Sequence, residues 1–125
     1  MPRSPARRLA DIARAIADIH AFVDGLDQAA FLASPRQDRK TFKAVSASLM
    51  EIGEAVKALP EEVTGRYPQI PWRAIAGLRD RVAHEYFQVD VEVIWTTLER
   101  GELDALLEVV EAEIARRPQQ DPQDR

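Results

Sequence analysis

Arg79, His84 and Tyr86 are the residues of this chain whose types and spacing could do chemistry together, with Asp80 beside them. They fall in the run from Pro71 to Phe87, which reads as one helix. Pro71 suits the first helical position, where a missing N–H costs nothing and φ is already set. At about 100° per residue, Ile75, Leu78 and Val82 form one apolar stripe, with Arg79 and Tyr86 close beside it. Asp80 and His84, four residues apart, stack on the opposite side next to Phe87. His84 therefore points away from Val82, and core packing does not account for it. A histidine near its ordinary pKa of about 6.5 gives or takes a proton at neutral pH. An arginine holds phosphate oxygens bidentately and stabilises charge developing on them. The chemistry this pair permits is acid–base work on a phosphodiester.

Other chemistries find less to work with. With two histidines and no cysteine, the usual zinc sites are not expected, and no His-x-x-x-His or Glu-x-x-His pair supplies ligands on one helix face. A serine nucleophile would need His84 as its base, and no serine stands in a recognisable turn context. No metal and no cofactor are expected. One helix alone makes a poor site, however, because Arg79 and His84 diverge by about 140° around the axis and about 7.5 Å along it. Pairing two copies of the helix across a two-fold axis would gather both residues from both subunits around one cleft.

The Arg-x-x-x-x-His-x-Tyr spacing of Arg79, His84 and Tyr86 comes with Ile52-Gly53-Glu54-Ala55 upstream, Ile70-Pro71-Trp72-Arg73 leading in and Tyr86-Phe87-Gln88-Val89-Asp90 leading out. Together these resemble the HEPN superfamily, and within it the HepT-like (DUF86) toxins that pair with a small nucleotidyltransferase antitoxin. The resemblance runs from about Leu9 to about Ile114. The position after the arginine, often Asn in that family, is Asp80 here. The resemblance implies a homodimer with a composite ribonuclease site in which Arg79 and His84 are catalytic and Asp80 orients the imidazole. It further implies an RNA product ending in a 2′,3′-cyclic phosphate, and silencing by AMP placed on Tyr86 by the antitoxin. Glu54 enters as a supporting residue on the same footing. The alternative is a non-catalytic helical module, in which Arg79 and His84 only build a dimer or receive the nucleotidyltransferase. Salt-bridged helix faces are far commoner than active sites, and without the resemblance that alternative would lead.

The 125 residues suffice for one domain with its own core. No apolar run approaches the roughly 20 residues needed to span a bilayer, no membrane association is expected, and the expected compartment is the cytoplasm. The net charge of −4 is uneven: residues 1–58 sum to +2, residues 59–89 to zero and residues 90–125 to −6. Tight nucleic-acid binding by charge alone would need a basic chain, so RNA contacts must be local. Arg36, Arg39, Lys40 and Lys43 form one candidate patch, and Arg73, Arg79 and Arg81 another.

The rest of the chain must position this helix. Leu9, Ile12, Ile16, Ile19 and Val23 repeat at helical spacing, with His20 on the same stripe as a core or boundary residue. Gly25 ends that helix, and residues 26–35 read as a connector with a short turn around Phe31. Phe42, Val45, Leu49, Ile52, Val56 and Leu59 mark the cleanest bundle seam. Gly53 inside it makes sense where another backbone comes close. Residues 60–70 read as a loop with about one helical turn. Asp90 is expected to cap a helix carrying Val91, Ile94, Trp95 and Leu98, and Gly101 to break the chain before a last helix with Leu103, Leu106, Leu107, Val110 and Ile114. The expectation is an all-α, up-and-down bundle of four to five helices over residues 7–116, with a tail at 1–6 and a disordered tail at 117–125.

Overall fold

The computed structural model describes residues 3–85 and 91–117, with the side chains of 83–85 outside that description. Among the described residues there are eight helical segments and no strand. They are α1 (Pro5–Val23), α2 (Gln28–Gln37), α3 (Arg39–Lys57), α4 (Glu61–Thr64), α5 (Trp72–Ala76), α6 (Leu78–Glu85), α7 (Val91–Glu99) and α8 (Glu102–Arg116). The fold is an all-α bundle, as the sequence implies.

α1 starts on Ser4, whose hydroxyl accepts the Arg7 N–H at 3.2 Å, with Pro5 at the first helical position. It thus begins inside the segment expected as a tail. Leu9, Ile12, Ile16 and Ile19 are buried against α3 and α8, and Gly25, at φ +80°, turns the chain after α1. α3 buries every residue of the expected seam, from Phe42 to Leu59 just past its end. In α8, Leu103, Leu106 and Val110 are buried as expected, while Ile114 is 40% exposed and Val109 takes a core place instead. No described helix is long and apolar enough to cross a membrane.

The expected connector at residues 26–35 is instead the ten-residue α2. Asp27 caps it by accepting the Ala30 N–H at 2.8 Å, and fully buried Phe31 anchors it, its ring 5.6 Å from that of Trp95 on α7. Pro35 lies inside the helix and has no N–H for the Phe31 carbonyl. The Ser34 hydroxyl donates to that carbonyl instead, at 2.6 Å. Asp38 then caps α3 by accepting the Thr41 N–H at 3.3 Å.

The run expected as one helix from Pro71 to Phe87 is two segments meeting at Gly77. Pro71 is the residue before the first helical one, and its carbonyl accepts the Ile75 N–H at 3.0 Å. Gly77 keeps a right-handed conformation (φ −73°, ψ −10°), its N–H donating to the Arg73 carbonyl at 3.1 Å and its carbonyl accepting the Arg81 N–H at 3.0 Å, so the chain passes the break without reversing. Ile75, Leu78 and Val82 are buried, as the stripe requires. Phe87, the expected cap Asp90 and the expected tail beyond Arg117 lie outside the described residues.

Candidate active site

The site is built where α3 meets the α5–α6 junction. A Cβ added to Gly53 would lie 2.7 Å from the Arg79 nitrogen and 3.2 Å from the carbonyl oxygens of both Ile75 and Ala76. Only glycine lets the two backbones come this close, which answers why one sits inside a helix at a cost of about 1 kcal/mol against alanine. One residue further along α3, Glu54 faces outward, and its Oε2 stands 3.9 Å from Arg79 Nε. Arg79 Nη1 donates to Asp80 Oδ1 at 3.4 Å. The side chains of Glu54, Arg79 and Asp80 are 70%, 50% and 80% exposed. Ion pairs that exposed are worth about 0–1 kcal/mol, so the guanidinium can exchange its carboxylates for a phosphate at small cost.

The structure therefore brings together three of the five residues singled out in the sequence. His84 is on α6, one turn after Asp80, with its side chain outside the described residues. Tyr86 lies outside them altogether.

Two open grooves reach neighbours of the α6 ridge that carries Arg79, Glu54 in one and Arg81 in the other, and Arg79 itself lines neither. One, of about 530 Å³, runs between α1 and α3 and is lined by Arg3, Arg8, Arg14 and Glu54 among others. The other, of about 580 Å³, lies against α7 and is lined by Arg81, Thr96 and Arg100 among others. The basic residues Arg36, Arg39, Lys40 and Lys43 are exposed, and along α3 Lys43 is separated from Gly53 by about 15 Å at the helical rise, so that patch stands apart from the Arg79 contact. His20 is not in the core: its side chain is 53% exposed and its Nε2 lies 3.1 Å from Asp104 Oδ1, where the end of α1 meets the start of α8. Among the described residues, no three His, Cys, Asp or Glu side chains gather as a metal site would require.

The sequence reading missed a buried carboxylate. Glu113 is 0% exposed and accepts from Arg66 Nη2 at 2.8 Å, Tyr67 Oη at 3.0 Å and Arg117 Nη1 at 3.1 Å. Burial alone would raise its pKa, but those three donors outweigh it and hold the carboxyl below its ordinary range. Its hydrogen bond holds the Arg66 guanidinium protonated above the ordinary arginine range. Burial, then the bond to Glu113, raises the Tyr67 phenol. The Tyr67 carbonyl in turn accepts Trp72 Nε1 at 2.9 Å, which ties the cluster to the first residue of α5. The signal was present: Glu113 continues the stripe of Leu103, Leu106 and Val110.

The described residues form an all-α bundle that presents Arg79 exposed on α6, with His84 five positions further along the same helix. The family model described as ribonuclease HepT-like matches residues 12–113, and the chain belongs to that family. It is 45% identical over 96 residues to "Putative RNase MJ0127" of Methanocaldococcus jannaschii, covering 76% of each chain. It is 43% identical over 98 residues to "Probable ribonuclease HepT" of Thermococcus cleftensis, covering 78% of this chain and 86% of that one. No solved structure gives a significant match.

Proposed function

We propose that the protein is a metal-independent endoribonuclease, the toxin of a pair with a nucleotidyltransferase antitoxin. The observation that carries this reading is Arg79, exposed on α6 and paired among the described residues with surface carboxylates, in a chain of the ribonuclease HepT-like family. RNA phosphate displaces Glu54 and Asp80 from the guanidinium, and Arg79 steadies the phosphate as charge develops on its oxygens. His84 takes the proton of the neighbouring 2′-hydroxyl or gives one to the leaving 5′-oxygen. The hydroxyl oxygen bonds to phosphorus as the P–O5′ bond breaks, leaving a 2′,3′-cyclic phosphate and a free 5′-hydroxyl. Asp80, one turn before His84, orients the imidazole. Two copies of α6 across a two-fold axis complete the site.

AMP on Tyr86 would set a phosphate beside Arg79, where RNA must bind, and so silence the protein. The test is cleavage of RNA by purified protein, wild type beside Arg79→Ala, with light scattering to establish the dimer. A monomer at micromolar concentration removes the composite site.

A second reading is favoured by the two carboxylates already on Arg79. In it the ridge is a non-catalytic surface that receives the nucleotidyltransferase. Wild-type protein that binds this partner and leaves RNA intact would establish it.

A further inference from the structure

Two glycines adjoin the candidate site, Gly53 inside α3 and Gly77 between α5 and α6. The geometry sets them apart. Gly77 has a conformation open to any L-residue, and a Cβ there would meet the Ala74 and Arg73 carbonyl oxygens at 3.4 and 3.6 Å, which is ordinary contact. A Cβ on Gly53 would meet three backbone atoms at 2.7, 3.2 and 3.2 Å, the nearest being the Arg79 nitrogen. A side chain could swing aside, but these atoms move only if α5 and α6 move with them.

We propose that Gly53 is a positioning residue for Arg79. Its missing side chain sets the depth at which the α5–α6 junction sits on α3, and so fixes the point from which the guanidinium reaches its phosphate. Glu54, next in sequence, meets the same guanidinium from the same turn of α3. The inference rests on the ribonuclease reading of Arg79. Restoring ordinary contact at a Cβ on residue 53 requires α6 to retreat by several tenths of an ångström. A misplacement of about 1 Å can cost about 100-fold in rate.

The experiment compares Gly53→Ala and Gly77→Ala, each made in the wild-type chain and in Arg79→Lys. Gly53→Ala is expected to lower kcat between about 10- and 100-fold with KM little changed, and Gly77→Ala to leave both near wild type. In Arg79→Lys the added Gly53→Ala change should cost clearly less than in the wild-type chain, because the guanidinium's share of the loss is already gone while His84 moves with α6 in both backgrounds. An equal loss in both backgrounds, or full activity in Gly53→Ala, overturns the proposal. Amide hydrogen exchange on the wild-type protein covers the case in which Gly53→Ala does not fold. An Arg79 amide sealed against α3 exchanges more slowly than that of its exposed neighbour Asp80, and equal rates overturn the contact. Wild-type protein inert on RNA overturns the ribonuclease reading and the positioning role together, whereas a failure confined to the Gly53 variants overturns the positioning role alone.

Discussion

Tyr67 donates its hydroxyl to Glu113 Oε1 at 3.0 Å, joining the connector before α5 to the last turn of α8 across 46 positions of sequence. The Glu113 carboxylate is fully buried, whereas the side chains of Arg66 and Arg117 are about a third exposed or less. Removing one partner of a buried charged cluster leaves the others uncompensated, at a cost of about 3–5 kcal/mol. Because both arginines keep some access to water, Glu113→Ala should lose about 3 kcal/mol, at the low end of that range. Urea unfolding measures this, and a loss under about 1 kcal/mol would show the cluster to be decorative.

The same cluster sets the pH response of stability. The folded state holds Glu113 ionised more firmly than the unfolded chain does, so the native protein binds fewer protons there and stability rises with pH in that range. The contribution is present above the ordinary value of 4.5 and is lost as pH falls through the lower folded value. Tyr67 acts in the opposite sense: its raised pKa stabilises the fold below 10.0, and that contribution fades as pH climbs through the folded value. Unfolding across acid pH should show a shallower dependence in Glu113→Gln than in the wild type, and Tyr67→Phe should flatten the alkaline limb.

Phe31 is the pin of α2, with no exposed surface and its ring against Trp95. Phe31→Ala should cost about 3–5 kcal/mol and shift the tryptophan emission. By contrast, the pairs Arg79 makes among the described residues are exposed, and Arg79→Ala should change stability by less than about 1 kcal/mol. Side-by-side unfolding curves check both, and a large destabilisation by Arg79→Ala would make the arginine a structural residue.

How legible this molecule is in its sequence depends on which physical signal each part leaves. The α3 seam was plain because six apolar residues at helical spacing leave one face to bury. Gly53 was legible too, since an interior glycine in such a seam needs a close neighbour, and the neighbour is the Arg79 backbone. α2 was hidden because Pro35 argues against a helix, and the compensating Ser34 hydroxyl bond exists only once the helix forms. The break at Gly77 is not legible because the apolar stripe of Ile75, Leu78 and Val82 runs through it unbroken. Glu113 was passed over because a glutamate on an acidic helix reads as solvated, as Glu108 and Glu111 are. Its partners Arg66 and Tyr67 lie in a connector that sequence spacing cannot place against α8.

The proposed silencing by modification gives its own outcome. Co-expression with a nucleotidyltransferase partner of the proposed kind should add one or more AMP units to Tyr86, visible as an increment in intact mass, and Tyr86→Phe should escape it. AMP mapped to another residue, or no increment, contradicts the assignment.

The most direct measurement is cleavage of RNA by the purified protein in the presence of EDTA, with His84→Ala as its partner. The account predicts wild-type cleavage that survives EDTA, follows a pH limb in the histidine range near 6.5, leaves 2′,3′-cyclic phosphate ends and disappears in a folded His84→Ala protein. Cleavage that needs a divalent ion, or that persists undiminished in His84→Ala, would contradict it.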